Sequence, residues 1–307
     1  MTGSRIAVTG ALGFTGRAVA ERLLAGGHDV VTLSRRSGSG DTLASKVTVH
    51  PLDFGRPEAL RAALEGADTL INTYWLRFPR GRQTFEGAVA ESAVLLGAAR
   101  DAGVRRVVHV SVVRASPDAD TPYVRAKAAL ESVVRSSGLE WVVVRPTLTY
   151  GPADILINNL AWALRRLPVY GLPGLGGYRV QPVHVDDVAR ICVEAIDWPA
   201  GQTVDAAGPE TLTYRELVEL VHDAIGSSSV VVPMPAFAVL AAARLLGLLV
   251  RDVVLTRDEI RELTASLLTS DEPARCEIRI SEWLPANAAT LGRRWSSELE
   301  RNYRRRS

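Results

Sequence analysis

The stretch AVTGALGFTGRAVAERLL, residues 7–24, constrains the fold more than any other part of the chain. It sets Gly10, Gly13 and Gly16 between a short apolar run, RIAVT (5–9), and a segment of helical spacing that stops at Gly26-Gly27. A strand that turns through glycines into a helix is the first half of a βαβ unit. HDVVTLS (28–34) and KVTVHPLD (46–53) read as the second and third strands, PEALRAAL (57–64) as a helix, and DTLINTYW (68–75) as the fourth strand with its exit. A helix over 84–102, the strand RRVVHVS (105–111), the helix holding Tyr123 and the strand LEWVVVRP (139–146) continue the alternation. Strands that alternate with helices of this length predict a parallel sheet covered on both faces.

After residue 150 the rhythm changes. Helical runs at 155–167, 186–197 and 213–225 are separated by loops, one of them the glycine-rich GLPGLGG at 171–177, which suits either a lid or an ordinary turn. Thr213 with Glu216, and Thr256 with Glu259, have capping-box spacing and mark helix starts. A last helix is expected from Ser281 to Tyr303. The expected class is α/β: a Rossmann-type doubly wound parallel sheet over 1–150, and a smaller, mostly helical substrate lobe over 151–307, interleaved with the end of the sheet.

Composition narrows the function. With 307 residues and 47% hydrophobic content the chain buries a large core, and a net charge of +2 asks for no nucleic-acid partner. Cys192 and Cys276 are the only cysteines and lack CxxC spacing, which argues against a disulfide framework and a zinc site and fits a reduced cytoplasm. No metal site is expected. MTGSRIAVTG lacks the apolar core of a signal peptide. Residues 230–250 are nearly long enough to span a bilayer, but Pro233, Pro235 and Arg244 interrupt them. They read as a short buried strand and a core or interface helix, with a helix on a membrane surface as the alternative. The closing ERNYRRRS reads as a solvated tail, with binding to an anionic surface as the lesser alternative.

Between a strand and a helix N-terminus, glycines give a tight turn, room for close approach, and amide donors aimed at an anion. Those are the needs of a dinucleotide diphosphate. NAD sites place a carboxylate at the end of the second strand for the ribose 2′-hydroxyl. Here that strand ends Leu33-Ser34-Arg35-Arg36, and guanidiniums suit a 2′-phosphate. NADP(H) is therefore the expected cofactor.

These motifs resemble the short-chain dehydrogenase/reductases, in their extended and atypical branches. TGALGFTG matches TGxxGxxG, and Tyr123-Val-Arg-Ala-Lys127 matches YxxxK. Arg145-Pro146 matches the exit from the sixth strand, and QPVHVDDVAR (181–190) the link to the substrate lobe. The likeness covers roughly residues 4 to 225. INTYW, AARDAGVRRVVHVS and SEWLPANAATLGRRW are most similar to the atypical NADP-binding members, which include NmrA-like proteins and the NADPH-binding accessory subunit of respiratory complex I. The resemblance implies a cofactor held by Gly10, Gly13, Phe14, Thr15, Gly16, Ser34, Arg35, Arg36, Asp53, Phe54, Thr73, Lys127 and Pro146, with Asp53 at the adenine. It implies Tyr123 as acid/base, Lys127 as holder of the nicotinamide ribose, and a serine or threonine that orients a carbonyl. In that last place the chain has Val112, so Ser111 is the nearest hydroxyl.

A phenol titrates near pH 10, too high for a good base at neutral pH. An ammonium about 5 Å away, at an effective dielectric of about 20, stabilises a phenolate by roughly 3 kcal/mol, or about two pKa units. Ala126, Ala129, Leu130, Val133 and Val134 would seat this helix on the sheet. His184 and the helix-starting Asp186 and Asp187 read as structural. Tyr74 and Trp75 read as either pocket wall or core. The expected function is an NADP(H)-dependent oxidoreductase acting on a small-molecule carbonyl or alcohol. The alternatives are a non-catalytic NADP(H)-binding subunit or redox sensor, and a nucleotide-sugar epimerase or dehydratase.

Overall fold

A computed structural model of the chain describes residues 3–36 and 38–303. In chain order it begins β1 (Arg5–Thr9), α1 (Phe14–Ala25), β2 (Asp29–Ser34), β3 (Thr48–Pro51) and α2 (Pro57–Leu64). There follow β4 (Thr69–Asn72), α3 (Phe85–Asp101), β5 (Arg106–Val110), α4 (Pro122–Arg135) and β6 (Glu140–Pro146). A further strand, Gln202–Ala206, lies beside β6 and completes a seven-stranded sheet ordered Gln202–Ala206, β6, β5, β4, β1, β2, β3. Every neighbouring pair is parallel. This is the Rossmann-type α/β fold the alternation predicts, with the winding direction reversing between β1 and β4.

Strands β4 and β5 are buried at every position, because helices cover both faces of the sheet. On one side α2, α3 and α4 lie in a row; on the other α1 packs against the helix Val185–Glu194. Leu60, Leu64, Leu95, Leu96, Leu130 and Val134 meet Leu33, Leu70, Val107 and Val143 in the core of the first layer. Each such side chain, fully buried, contributes about 1.5–3 kcal/mol. The α4 stripe differs from expectation at one place: Ala129 is exposed, while Lys127 and Glu131 face inward. Glu131 takes two hydrogen bonds from Arg145 on β6, at 2.8 and 2.6 Å, and that pair rotates the helix away from its purely apolar stripe.

The chain divides into two compact units. Of the described residues, one holds those as far as Pro146 together with Val185–Ala206, and the other holds Thr147–His184 and 207–303. The second unit is smaller and has more helix than strand, around a core that includes Tyr150, Ile157, Leu160, Leu164, Leu217, Val221 and Leu284. Both expected capping boxes are present, starting the helices Tyr214–Ala224 and Arg257–Thr264. Of GLPGLGG, the first three residues extend the strand Val169–Pro173, and Gly174 and Gly176 turn the chain at positive φ.

In this unit the expected last helix falls short, and the strand expected to be buried at the start of 230–250 is exposed or half-buried. The last helix stops at Asn287, with Pro285 inside it. At Gly292, φ is 69° and a Cβ would lie 2.5 Å from the Trp162 nitrogen, so the chain must turn there. Residues 230–250 form the strand Val230–Met234 and the helix Ala236–Val250, whose only buried residue is Ala243. That helix is apolar apart from the exposed Arg244 and meets the strand Val169–Pro173. Among the described residues no helix is long and apolar enough to cross a membrane. Arg304, Arg305 and Arg306 of the tail lie outside the described residues.

Candidate functional site

In an open parallel sheet, ligands bind beyond the carboxyl ends of the strands where the winding reverses. The ends of β1 and β4 meet that description. Gly10 leaves β1 with φ of 69°, and its N–H donates to the Leu33 carbonyl at 2.8 Å, pinning the turn to β2. The Gly13 N–H donates to the Gly10 carbonyl at 2.7 Å. A Cβ on Gly16 would stand 2.3 Å from that same carbonyl oxygen, so only glycine lets α1 pack this near to β1. Gly13 precedes α1 without a side-chain cap, and the first turn, with Phe14 and Thr15, carries no acidic residue. The positive end of the helix is thus left to an outside anion.

At the end of β2, the Ser34 hydroxyl accepts from the Arg36 N–H at 3.0 Å. The Arg36 guanidinium crosses to the glycine turn and donates to the Leu12 carbonyl at 2.6 Å. Arg35 stands 5.7 Å from the centre of the Tyr74 ring, and the Phe54 ring lies 4.9 Å from it on centres. Asp53 is an exposed neighbour whose carboxylate accepts from the Gly55 N–H at 3.0 Å. Arg35, Phe54 and Tyr74 therefore gather in one place, a cation and two rings that suit a flat heteroaromatic group. Tyr74 itself is held by donating its hydroxyl to Glu91.

Thr73 ties the exits of β4 and β1: its N–H donates to the Thr9 hydroxyl at 2.7 Å, and its own hydroxyl to the Thr9 carbonyl at 2.6 Å. Thr9 in turn donates to Asn72 Oδ1 at 3.0 Å, and Asn72 lies 3.3 Å from His109 Nδ1. Burial, and then the charge of Lys127, push His109 down to about 3, so this imidazole is neutral.

Lys127 is 3% exposed, its Nζ donating to the Val110 carbonyl at 3.1 Å and resting 4.5 Å from the Trp75 ring centre. Burial pulls its pKa from 10.5 to about 7, against the opposing pull of Glu131. Tyr123 is half-buried, edge-on to Trp75 and Phe85 at 6.0 and 5.7 Å between ring centres. Ser111 is buried, and its hydroxyl has no hydrogen-bond partner among the described residues. A buried hydroxyl left so calls for a ligand or a catalytic explanation. Val112 beside it is half-buried. Pro146 closes β6, its carbonyl accepting from the Val113 N–H at 3.1 Å. His184 belongs to the second unit, edge-on to Tyr150 at 5.2 Å between ring centres.

Thr9, Asn72, His109 and the lysine-facing role of Trp75 are site neighbours that motif matching missed. A signal existed. In TLIN and RVVHV, Asn72 and His109 interrupt apolar runs near the carboxyl ends of the strands, where ligands meet such sheets.

The family described as NAD(P)H-binding matches residues 10–199. The chain belongs to it. The site fits that ligand: a tight turn in which Gly16 leaves no room for a Cβ, an uncapped helix end, and the guanidiniums of Arg35 and Arg36 just beyond β2. The resemblance to the atypical short-chain dehydrogenase/reductases holds as well. A curated relative, the mitochondrial NADH dehydrogenase [ubiquinone] 1 alpha subcomplex subunit 9 of Arabidopsis thaliana, is 29% identical over 86% of this chain and 70% of its own length. An uncharacterized protein of Mycobacterium tuberculosis is 32% identical over 83% of this chain, which spans only 27% of that protein. Among solved structures, the NADPH-dependent quinone oxidoreductase of Escherichia coli superposes with a TM-score of 0.73 at 20% identity, over 93% of this chain and 99% of that one. At that identity the likeness speaks to the fold.

Proposed function

We propose that this protein is an NADP(H)-dependent oxidoreductase that interconverts a carbonyl and an alcohol on a small molecule. The observation that carries the proposal is the buried Lys127 ammonium one helical turn beyond Tyr123, at the carboxyl end of β5. When bound, NADPH supplies the hydride. Tyr123 gives the proton to the carbonyl oxygen. Lys127 favours the phenolate that results and holds the nicotinamide ribose. Ser111, with its hydroxyl uncommitted to other described residues, donates to the same carbonyl oxygen and fixes the substrate's orientation. Val112 then needs no polar role. The second unit forms the substrate lobe.

Preference for the phosphorylated cofactor rests on Arg35 and Arg36 at the end of β2, where no carboxylate stands. Replacing either by alanine should weaken NADPH about tenfold to a hundredfold and leave NADH unchanged. The deciding experiment is NADPH consumption with a panel of carbonyl compounds. Tyr123→Phe should cut turnover about a hundredfold or more while NADPH affinity stays as in the wild type. Full activity in that variant would overturn the mechanism.

One second reading has support of its own: a non-catalytic NADP(H)-binding subunit or redox sensor. Val112 in the family's hydroxyl position favours it, as does the Trp75 ring resting on Lys127. Nucleotide released on denaturation, from protein that leaves every carbonyl untouched, is the outcome it expects.

A further inference from the structure

The helix Ala236–Val250 presents an apolar face to its surroundings. Phe237 is 75% exposed, Leu245 66%, Leu248 76% and Leu249 82%. At about 100° per residue, Phe237, Ala241, Leu245 and Leu248 fall within an arc of about 80°. Leu249 borders that arc on one side and Arg244 on the other. An apolar surface this continuous marks a binding face. What binds there is indicated by charge. Arg244 and Arg251 are the only charged residues over 230–251, and both are exposed. The next residue, Asp252, is buried, and its carboxylate accepts from the Trp295 indole and from the Glu298 and Leu299 amides at 2.8–3.1 Å. Its carboxylate is thus turned inward to these donors and away from the exposed face. It also anchors Leu299 to the end of the helix.

We propose that this face docks on an anionic lipid bilayer, with Phe237, Leu245, Leu248 and Leu249 among the acyl chains and Arg244 and Arg251 on the lipid phosphates. A second copy of the chain fits less well. A two-fold contact would bring this basic, carboxylate-free face against itself. Four large side chains on one helix are also well short of the roughly 20–30 residues per side of a stable protein interface.

The test is flotation of the full chain with phosphatidylcholine vesicles, with and without phosphatidylglycerol, at low and high salt. Binding should be about thirtyfold tighter with phosphatidylglycerol and fall as salt rises. The double variant Leu245→Glu with Leu248→Glu should lose binding about a hundredfold. Arg244→Gln with Arg251→Gln should lose the preference for phosphatidylglycerol. Wild-type melting and NADPH affinity in each variant establish that it is folded. The proposal is overturned if the wild type fails to float with phosphatidylglycerol vesicles, or if the glutamate variant floats as well as the wild type. It is equally overturned, in favour of a second copy, if light scattering finds a dimer that the glutamate variant dissociates and no vesicle binding.

Discussion

Lys127 ought to make the stability of the nucleotide-free protein depend on pH in a recognisable way. Its pKa falls from 10.5 to about 7 because the ammonium is buried. At pH 7 the folded lysine is half-protonated, and at pH 9 it is almost wholly neutral. In the unfolded chain it stays protonated across that window. The unfolded state therefore binds more protons, so stability rises with pH, fully penalised below 7 and free of penalty above 10.5. Integrated from pH 7 to pH 9, the gain is about 2 kcal/mol. Lys127→Met keeps the length of the side chain and removes the titration. At pH 7 it escapes a charging cost of about 4 kcal/mol and forfeits about 2 kcal/mol of hydrogen bond to Val110 and contact with Trp75. The variant should then be the more stable by about 2 kcal/mol at pH 7, with the two proteins converging near pH 9. Urea denaturation at pH 7, 8 and 9 measures this. Parallel curves would refute the buried-ammonium account, because every other titrating group is common to both proteins.

Gly16→Ala should destabilise the protein by about 1–3 kcal/mol, since the new Cβ meets the Gly10 carbonyl and must push α1 outward. Calorimetry should show NADPH affinity falling about tenfold or more, and unchanged affinity would free the turn from any part in holding diphosphate. Glu131→Gln removes the carboxylate that Arg145 and Arg135 share, at 2.6 and 2.9 Å. A loss of about 3 kcal/mol in urea is expected; a loss below about 1 kcal/mol would mean the pair does not hold α4.

The parts most readily foreseen were those with strong local patterns. The helix PEALRAAL is α2 residue for residue, and both Thr–Glu capping boxes start helices where their spacing demands. The strand Gln202–Ala206 was missed because QTVDA is short and polar at three of its five positions, yet it completes the sheet beside β6. A stretch like that becomes a strand through its partner rather than its own preference. The burial expected of Val230–Met234 failed for a related reason: hydrophobic content says that a surface wants covering, and not what covers it. The same limit applies at the site. The glycines and the Tyr–Lys pair have fixed spacing in one segment. Asn72, His109 and Trp75 meet Thr9 and Lys127 across long separations that only the sheet order brings together.

The carboxylate of Glu131 behaves as a gauge block at the far end of the helix that carries Tyr123 and Lys127. Clasped by Arg145 of β6, it sets the axial position of that rod to within a hydrogen bond's tolerance, and a slip of one residue would undo the clasp, whereas Arg135 is on the rod itself and moves with it. The aim of the two side chains is thus calibrated from behind.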